Sequence, residues 1–200
     1  MTFSARELRD LAVAWVALGV AFAVFLNRGV LRAILAGSAP PEAALLALAL
    51  ALSTAGLGFL LHELAHKVVA VRFGQLAAFR AEYGLLFLTV MSAMAGFLFA
   101  APGAVVHRGR ITERENGLIA LAGPVTNIAL AALFLPVGIL GSGLVGEIGR
   151  QGLSINLLLA GFNMIPYGPL DGRTVLSWNK LVYVAVAVPS IGLAVSVFVL

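Results

Sequence analysis

The sequence predicts an all-α polytopic membrane protein with about five transmembrane helices and one re-entrant, membrane-embedded hairpin or strand segment. Of its 200 residues, 61% are hydrophobic and 11% are charged, whereas soluble domains are about 25% charged. The mean hydropathy is +1.03, and apolar runs long enough to cross a bilayer alternate with short polar ones. The chain has no cysteine, which excludes disulfides and thiolate metal ligands.

The basic charge balance fits a membrane setting better than a nucleic-acid partner. The net charge is +4, but the basic residues lie in short clusters between apolar runs, as membrane topology requires. We therefore expect a lipid bilayer as partner and no nucleic acid. No small-residue cleavage site follows the first apolar run, so we expect a retained helix rather than a signal peptide. At this length one domain over residues 1–200 is expected.

Two spans are predicted in the first third of the chain. Residues 11–26 form the first, which the polar residues 27–32 end, and residues 37–41 form a turn. Residues 43–73 form the second. Gly56 and Gly58 thin this second helix, so a neighbouring helix could approach it closely.

The rest of the chain predicts three more helices. Thr112 to Glu115 matches a capping box, so a helix should begin near Glu113 and run to about residue 135, bent at Pro124. A glycine-rich loop is predicted from Pro136 to residue 149. A further helix should cover residues 152–165, ended by two prolines, and the last span should cover residues 181–200.

A His-Glu-Leu-Ala-His sequence occupies residues 62–66, inside the second predicted span. Positions four apart share one face of a helix, so His62 and His66 can hold one metal ion together. Glu63 is then placed to polarise a metal-bound water, as in zinc hydrolases. Ionisable groups at membrane depth are costly and are therefore functional candidates.

Two histidines do not complete a catalytic zinc site, which usually has three protein ligands and a water. Asp171 lies close to apolar helix in an irregular segment, residues 163–172, that is rich in proline and glycine. Irregular backbone at membrane depth is tolerated where it is buried or lines a wet cavity. Asp171 is thus the candidate third ligand, with capping of the next helix as the alternative. His107, beside three arginines, is expected to be a solvated loop residue, with ligation as the alternative.

Three motifs in this order resemble the site-2 protease family of intramembrane zinc metalloproteases. They are residues 62–66, the Ala-Gly-Pro-Val-Thr-Asn of residues 122–127, and residues 163–172. The resemblance covers roughly residues 57–175, within a catalytic core of about 43–175. It implies one Zn²⁺ per chain held by His62, His66 and Asp171, with Glu63 as general base. It also implies that Asn163 and Asn127 position or stabilise the reacting peptide, the alternative being hydrogen bonds between transmembrane helices.

The implied function is zinc-dependent cleavage of transmembrane segments of membrane-protein substrates. A substrate helix must unwind first, and pairing with a strand edge at residues 101–106 would achieve this by β-augmentation. The alternative is a non-catalytic membrane protein of the same fold that binds metal or a partner helix, but a pure binder would not need Glu63. The chain resembles a minimal prokaryotic type of the family, without a PDZ-like or CBS-like segment.

The shared metal ion also predicts a topology. If His62 and Asp171 bind one metal ion, the helix that carries His62 and the helix that precedes Asp171 cross the membrane in the same direction. An odd number of membrane crossings must then lie between these two helices. Residues 113–135 supply one crossing, so residues 83–106 should be re-entrant, broken near Gly96 or Pro102. Ten of the thirteen basic residues then share one side, which is cytoplasmic by the positive-inside rule. We expect a multi-pass protein of the cell membrane with its active site toward the cytoplasm.

Overall fold

The structure, a computed structural model, describes residues 1–99 and 102–199, and this part of the chain is mostly helical. Its elements are α1 Ala5–Leu26, α2 Arg28–Leu35, α3 Glu42–Ala51, a π-helical segment Leu52–Gly56, α4 Leu57–Arg72, β1 Leu76–Ala81, α5 Tyr83–Ala95, β2 Gly103–Arg108, α6 Glu113–Leu140, α7 Gly143–Asn163, α8 Asp171–Trp178 and α9 Lys180–Val199.

Four helical stretches of the described chain are long and apolar enough to cross a membrane. They are Ala5–Leu26, Glu42–Arg72, Glu113–Leu140 and Lys180–Val197. The helical, membrane-embedded class is therefore confirmed. Helix α7 has 21 residues but does not belong to this set, so the fifth span stays a prediction, as does membrane re-entry.

One compact unit consists of residues 3–57 and 79–104. Helix α1 packs in it against α3, the π-helical segment and α5. Trp15 Nε1 donates a hydrogen bond to Leu52 O at 3.0 Å, a carbonyl at the start of the π-helical turn. A methyl group on Gly56 would lie 2.5 Å from the Trp15 ring, so the predicted close approach at this glycine is confirmed.

Two buried acids of α1 form hydrogen bonds with residues of β1 and α5 in the same unit. Glu7 and Asp10 are each 1% exposed. The Phe79 backbone N–H donates to Glu7 Oε1 at 3.0 Å, and the Tyr83 hydroxyl donates to Asp10 Oδ1 at 2.7 Å. Arg80 Nη1 lies 3.8 Å from Asp10 Oδ2.

The other compact unit contains residues 58–78 and 105 onward, with the first two residues of the chain. In it α6 packs against α7 and α8, and α9 packs against α7 and α8. Ala120, Met164, Val175 and Ala187 form its buried apolar cluster. The capping box predicted at Thr112 and Glu115 is present.

The predicted loop at residues 136–149 is wrong. Helix α6 continues through Pro136 to Leu140, and α7 begins at Gly143. The glycines here let two helices touch rather than breaking them: a methyl group on Gly138 would lie 3.0 Å from Arg150 N, and one on Gly149 would overlap the Gly138 backbone. Helices α2 and α8 and strand β1 were not predicted.

Strands β1 and β2 form a two-stranded sheet. The Glu82 N–H donates to Pro102 O at 3.2 Å, and Gln75 Nε2 donates to Arg110 O at 2.9 Å, so the strands run antiparallel. The predicted break near Gly96 is confirmed, since α5 ends at Ala95 and Gly96 has φ 112°. Of the predicted strand edge at 101–106, residue 101 lies outside the described residues.

Candidate metal centre

Helix α4 carries His62, Glu63 and His66 on a buried surface. One ligand atom from each of the three lies within 4.8 Å of the others. The four-residue spacing accounts for this arrangement, because His62 and His66 stack one turn apart on the same helix face. The pair of histidines predicted from the sequence is therefore assembled in the structure.

Asp171 reaches the same point from the start of α8. Its Oδ2 lies 3.2 Å from His62 Nε2 and 3.4 Å from His66 Nε2. Helix α8 begins here close to the end of α7, since a methyl group on Gly172 would overlap the Met164 carbonyl. Asp171 is the first residue of α8, whose N-cap residue is Leu170, and its role as a metal ligand stays a prediction.

The hydrogen bonds of the two imidazoles determine which nitrogens are free. His62 Nδ1 lies 2.6 Å from Asn127 Oδ1, and His66 Nδ1 lies 2.7 Å from Ile119 O. Amide and peptide oxygens only accept hydrogen bonds, so each neutral imidazole carries its proton on Nδ1. Both Nε2 lone pairs are then free, and both face Asp171.

Three acceptor atoms therefore converge: His62 Nε2, His66 Nε2 and Asp171 Oδ2. The Asp171 oxygen is buried and makes no hydrogen bond with any residue that the structure describes. Buried lone pairs that face each other without a donor are unfavourable unless a cation lies between them. Nitrogen and oxygen donors of this kind suit Zn²⁺, so these residues fit the metal.

The charge of Asp171 also suits a cation. Burial raises the pKa of its carboxyl, but a protonated His66 and the close approach of both imidazoles lower it, and the balance brings it to about 2. In the absence of a metal ion, a proton on an imidazole would thus supply the positive charge. The Asp171 carboxylate stays ionised over the physiological pH range.

Glu63 is held by the neighbouring strand. The Val105 backbone N–H donates to Glu63 Oε2 at 3.1 Å. Backbone N–H groups alternate between the two edges of a strand, and the Pro102 carbonyl faces β1. Gly103, Val105 and His107 therefore present their backbone groups to the other edge of β2, the one that Glu63 contacts.

A glycine on α6 allows the metal centre to form. A methyl group on Gly123 would overlap both His62 Nε2 and His66 Nε2. Any larger residue at this position would therefore occupy the space in front of the two free nitrogens. Gly123 lies in the motif of residues 122–127, which does not by itself predict this contact.

The remaining predicted residues are placed as follows. Asn127 is fully buried and contacts His62. Asn163 is the last residue of α7, and its Nδ2 donates to Leu159 O at 2.9 Å. His107 lies on β2 and is not part of the metal-ligand group found among the described residues. The roles of Asn127 and Asn163 in catalysis stay predictions.

Comparison with known proteins identifies the family. The chain is 40% identical over 195 residues to a protein of Methanocaldococcus jannaschii, MJ0611, and the match covers 95% of this chain and 93% of that protein. It is 33% identical over 140 residues to YwhC of Bacillus subtilis, covering 59% of this chain and 63% of YwhC. Both are named "Putative zinc metalloprotease", and both are site-2 protease relatives. The chain belongs to the site-2 protease family.

A third site-2 protease relative, Rip3 of Mycobacterium tuberculosis, is 33% identical over 118 residues. These residues cover 56% of this chain and 26% of Rip3, which has the same descriptive name. No family model matches the chain, and no solved structure matches it. As a site-2 protease, the protein is a zinc metalloprotease and its cofactor is Zn²⁺.

Three residues at or near this site were missed from the sequence: Gly123, Val105 and Asn156. Asn156 is fully buried and accepts a hydrogen bond from Asn127 at 2.8 Å. An asparagine within a strongly apolar helix was a usable signal for Asn156, because polar groups at membrane depth require partners. The contact of Val105 had no such signal, since it is made by the backbone.

Proposed function

We propose that this site-2 protease cleaves transmembrane segments of membrane-protein substrates as a zinc-dependent intramembrane endopeptidase. The observation that carries the proposal is the convergence of His62, His66 and Asp171 with Glu63 beside them. His62, Glu63 and His66 lie on Glu42–Arg72, a helical stretch apolar enough to cross a membrane, and Asp171 reaches them from the start of α8. A protease that acted on soluble peptides would not need to bury its metal ligands in such a stretch.

His62, His66 and Asp171 would hold the metal ion. Zinc, when bound, supplies a Lewis acid that polarises the scissile carbonyl and lowers the pKa of water toward about 7. Glu63 accepts a proton from the attacking water as the oxygen–carbon bond forms. It then delivers that proton to the amine nitrogen as the carbon–nitrogen bond breaks, so one water is consumed per peptide bond.

Two neighbouring groups would assist this reaction. The Val105 N–H holds Oε2 of Glu63, which favours proton transfer through Oε1. Asn163 is our candidate donor to the tetrahedral oxyanion, and a donor of this kind is typically worth about 3–4 kcal/mol. Its local bond to Leu159 O would have to exchange for the substrate.

The free edge of β2 is the proposed docking site for an unwound substrate. A helical peptide bond is shielded by its own turns, whereas an extended segment can add to a strand edge. The edge formed by Gly103, Val105 and His107 passes Glu63 at its middle residue, because Val105 itself contacts the carboxylate. An added strand would therefore run past the proposed base.

The topology is also a proposal: five spans, a re-entrant segment at residues 83–106 and a cytoplasmic active site. Support comes from the contact between Gln75 and Arg110, which brings together the residues before β1 and after β2. Two chain segments that are in contact outside the membrane lie on the same side of the membrane. The ten-to-three distribution of basic residues supports a cytoplasmic location for that face.

Cysteine labelling tests this topology, and the absence of native cysteine makes single substitutions clean. Suitable positions are Leu76, which is 79% exposed, and the exposed Arg110. We expect a membrane-impermeant thiol reagent to label both from the cytoplasmic side. Labelling from opposite sides would show a full crossing between them and overturn the re-entrant segment.

The main test is cleavage of a single-pass helical substrate by the purified protein in liposomes. We expect cleavage that a chelator abolishes and zinc restores. Glu63→Gln should abolish cleavage while keeping about one zinc per chain, because a base is lost and the ligands remain. Glu42→Gln, an exposed acid at the start of the same stretch, is the matched control and should cleave normally.

Two outcomes would contradict the proposal. Full activity of Glu63→Gln would exclude the general-base mechanism. Zinc binding without cleavage of any helical substrate would favour the non-catalytic alternative.

X-ray absorption tests the ligand set directly. The expected spectrum has two imidazole nitrogens at about 2.0–2.1 Å and carboxylate oxygen at about 2.0–2.2 Å. A third imidazole would point to His107 and remove Asp171 from the ligand set.

A further inference from the structure

A pair of buried asparagines lies behind the metal centre. Asn127 on α6 and Asn156 on α7 are both 0% exposed. In apolar surroundings an amide without partners is costly, so each of these side chains must be hydrogen-bonded. Their hydrogen bonds connect the backbone of α7 to the imidazole of His62 on α4.

Two backbone carbonyls determine the orientation of both amides. Asn156 Nδ2 donates to Gly152 O at 2.8 Å, and Asn127 Nδ2 donates to Gly58 O at 3.2 Å. A carbonyl can only accept, so the nitrogen must be on that side of each amide. Asn156 Oδ1 therefore accepts from Asn127 Nδ2, at 2.8 Å.

The remaining atom of this relay is Asn127 Oδ1, which faces His62 Nδ1 at 2.6 Å. All of the assigned hydrogen-bonding atoms of Asn127 are thus engaged by protein groups. This arrangement suits a residue that orients His62 better than one that contacts the reacting peptide. Ligating histidines are commonly oriented in this way by a partner on their other ring nitrogen.

We infer that Asn156 is a positioning residue of the metal centre: through Asn127 it holds His62 as the Nδ1–H tautomer, with Nε2 directed at the metal. The inference rests on the proposed metal-ligand role of His62. Asn156 touches neither the metal position nor substrate. Its contribution is to occupy both Asn127 N–H groups, together with Gly58 O, so that the amide cannot turn its nitrogen toward the imidazole.

Gly58 is the structural requirement for this relay. A methyl group on Gly58 would lie 2.8 Å from Asn156 Oδ1 and 3.3 Å from its Nδ2. The asparagine amide therefore lies directly against the α4 backbone one turn before His62. Gly58→Ala would push the amide away without removing any polar atom from it.

The test uses ¹⁵N-histidine NMR of the full-length protein in lipid, zinc-free and at alkaline pH. The chain has three histidines, so the spectrum is simple to assign by substitution. In the wild type we expect His62 as the Nδ1–H tautomer. In Asn156→Leu, which removes the acceptor while keeping the branching and the number of heavy atoms, we expect a mixture containing the Nε2–H tautomer. The Kd for zinc should rise about tenfold, the lower end for second partners of metal ligands.

Three further variants separate positioning from general loss of stability. Ile155→Ala removes a buried side chain from the neighbouring position. It should lower the melting temperature without changing the tautomer or the zinc Kd. Asn156→Asp keeps an acceptor for Asn127 but loses the N–H that donates to Gly152 O, so it should keep the wild-type tautomer and zinc Kd while lowering the melting temperature. Gly58→Ala should shift the tautomer population and the zinc Kd in the same direction as Asn156→Leu. It replaces the leucine variant in the test if that variant does not fold.

The inference is overturned if Asn156→Leu and Gly58→Ala both keep the wild-type tautomer and bind zinc no more weakly than Ile155→Ala. Because tautomer and zinc affinity are read without substrate, this result is independent of proteolysis. A protein with the expected tautomer shift that cleaves no helical substrate would count against the proposed function alone.

Discussion

Buried acids occur in two regions of this protein, and they differ in what satisfies them. At the α1 cluster, Asp10 Oδ1 accepts from the Tyr83 hydroxyl and Glu7 Oε1 accepts from the Phe79 N–H. At the metal centre, Asp171 Oδ2 accepts from no residue that the structure describes. A carboxylate that protein donors satisfy stabilises the fold, whereas one held without a donor costs stability until a cation binds.

The largest effects should come from removing one acid from each region. Asp171→Ala should abolish zinc binding and proteolysis, yet change the melting temperature of the zinc-free protein little, because the carboxylate and the imidazole proton that neutralises it are lost together. Asp10→Ala should keep zinc and lower the stability by about 1.5–3 kcal/mol, because the hydrogen bond from the Tyr83 hydroxyl to a buried, charged carboxylate is lost. Metal analysis and thermal unfolding in detergent measure both. Zinc loss in the Asp10 variant would erase the distinction between the regions.

A second way to block the metal centre is to fill the space beside His62 Nε2 and His66 Nε2 without removing either nitrogen. Gly123→Ala places a methyl group against His62 Nε2 and His66 Nε2, and we expect zinc occupancy well below about one per chain. Gly117→Ala, in the same helix, would overlap the Trp178 ring. It should cost about 1–3 kcal/mol through overpacking without affecting zinc. Equal zinc content in the two variants would argue against a metal position beside Gly123.

Glu63 differs from Asp171, since one of its oxygens accepts a hydrogen bond from the Val105 N–H. Val105→Pro removes this donor at a strand edge where proline is tolerated, and we expect kcat to fall about tenfold with zinc retained, a loss in the range of one positioned group. His107→Pro removes an N–H from the same edge of β2 and should raise KM without changing kcat. A kcat effect in both variants would assign the loss to the strand rather than to Glu63.

The smallest effect is expected within the satisfied cluster. Tyr83→Phe removes the hydroxyl that donates to Asp10 at 2.7 Å. The protein should lose about 0.5–1.5 kcal/mol of stability, the net contribution of one hydrogen bond, with zinc affinity and kcat unchanged. Denaturant titration beside a zinc titration would show this. A changed zinc affinity would indicate that the two regions are coupled.

The proximity of the two histidines could be predicted because local geometry dictates it. His62 and His66 are four residues apart on one helix, so their convergence follows from 3.6 residues per turn. Asp171 could be proposed because few acids lie near apolar segments. The capping box at Thr112 could also be read directly, since all of its bonds join residues within one turn.

The glycine-rich stretch between α6 and α7 shows where such reading fails. Local propensity treats glycine and proline as helix breakers, and that led to a predicted loop at residues 136–149. In the structure Gly138 and Gly149 lie at a contact between two helices. In an apolar setting, the packing gained by close helix approach outweighs the propensity cost.

The sequence by itself determined the membrane class, the long apolar helices and the His-Glu motif, and it predicted Asp171 as the third ligand. Each of these depends on composition or on spacing within a few residues. The tertiary structure decided which atoms face one another: Asn127 with His62, Asn156 with Asn127, Val105 with Glu63 and Gly123 with both imidazoles. These contacts join residues 29 to 65 positions apart, and no local periodicity encodes them. They depend on how α4, α6, α7 and β2 pack, and this packing determines the direction of the free nitrogen lone pairs.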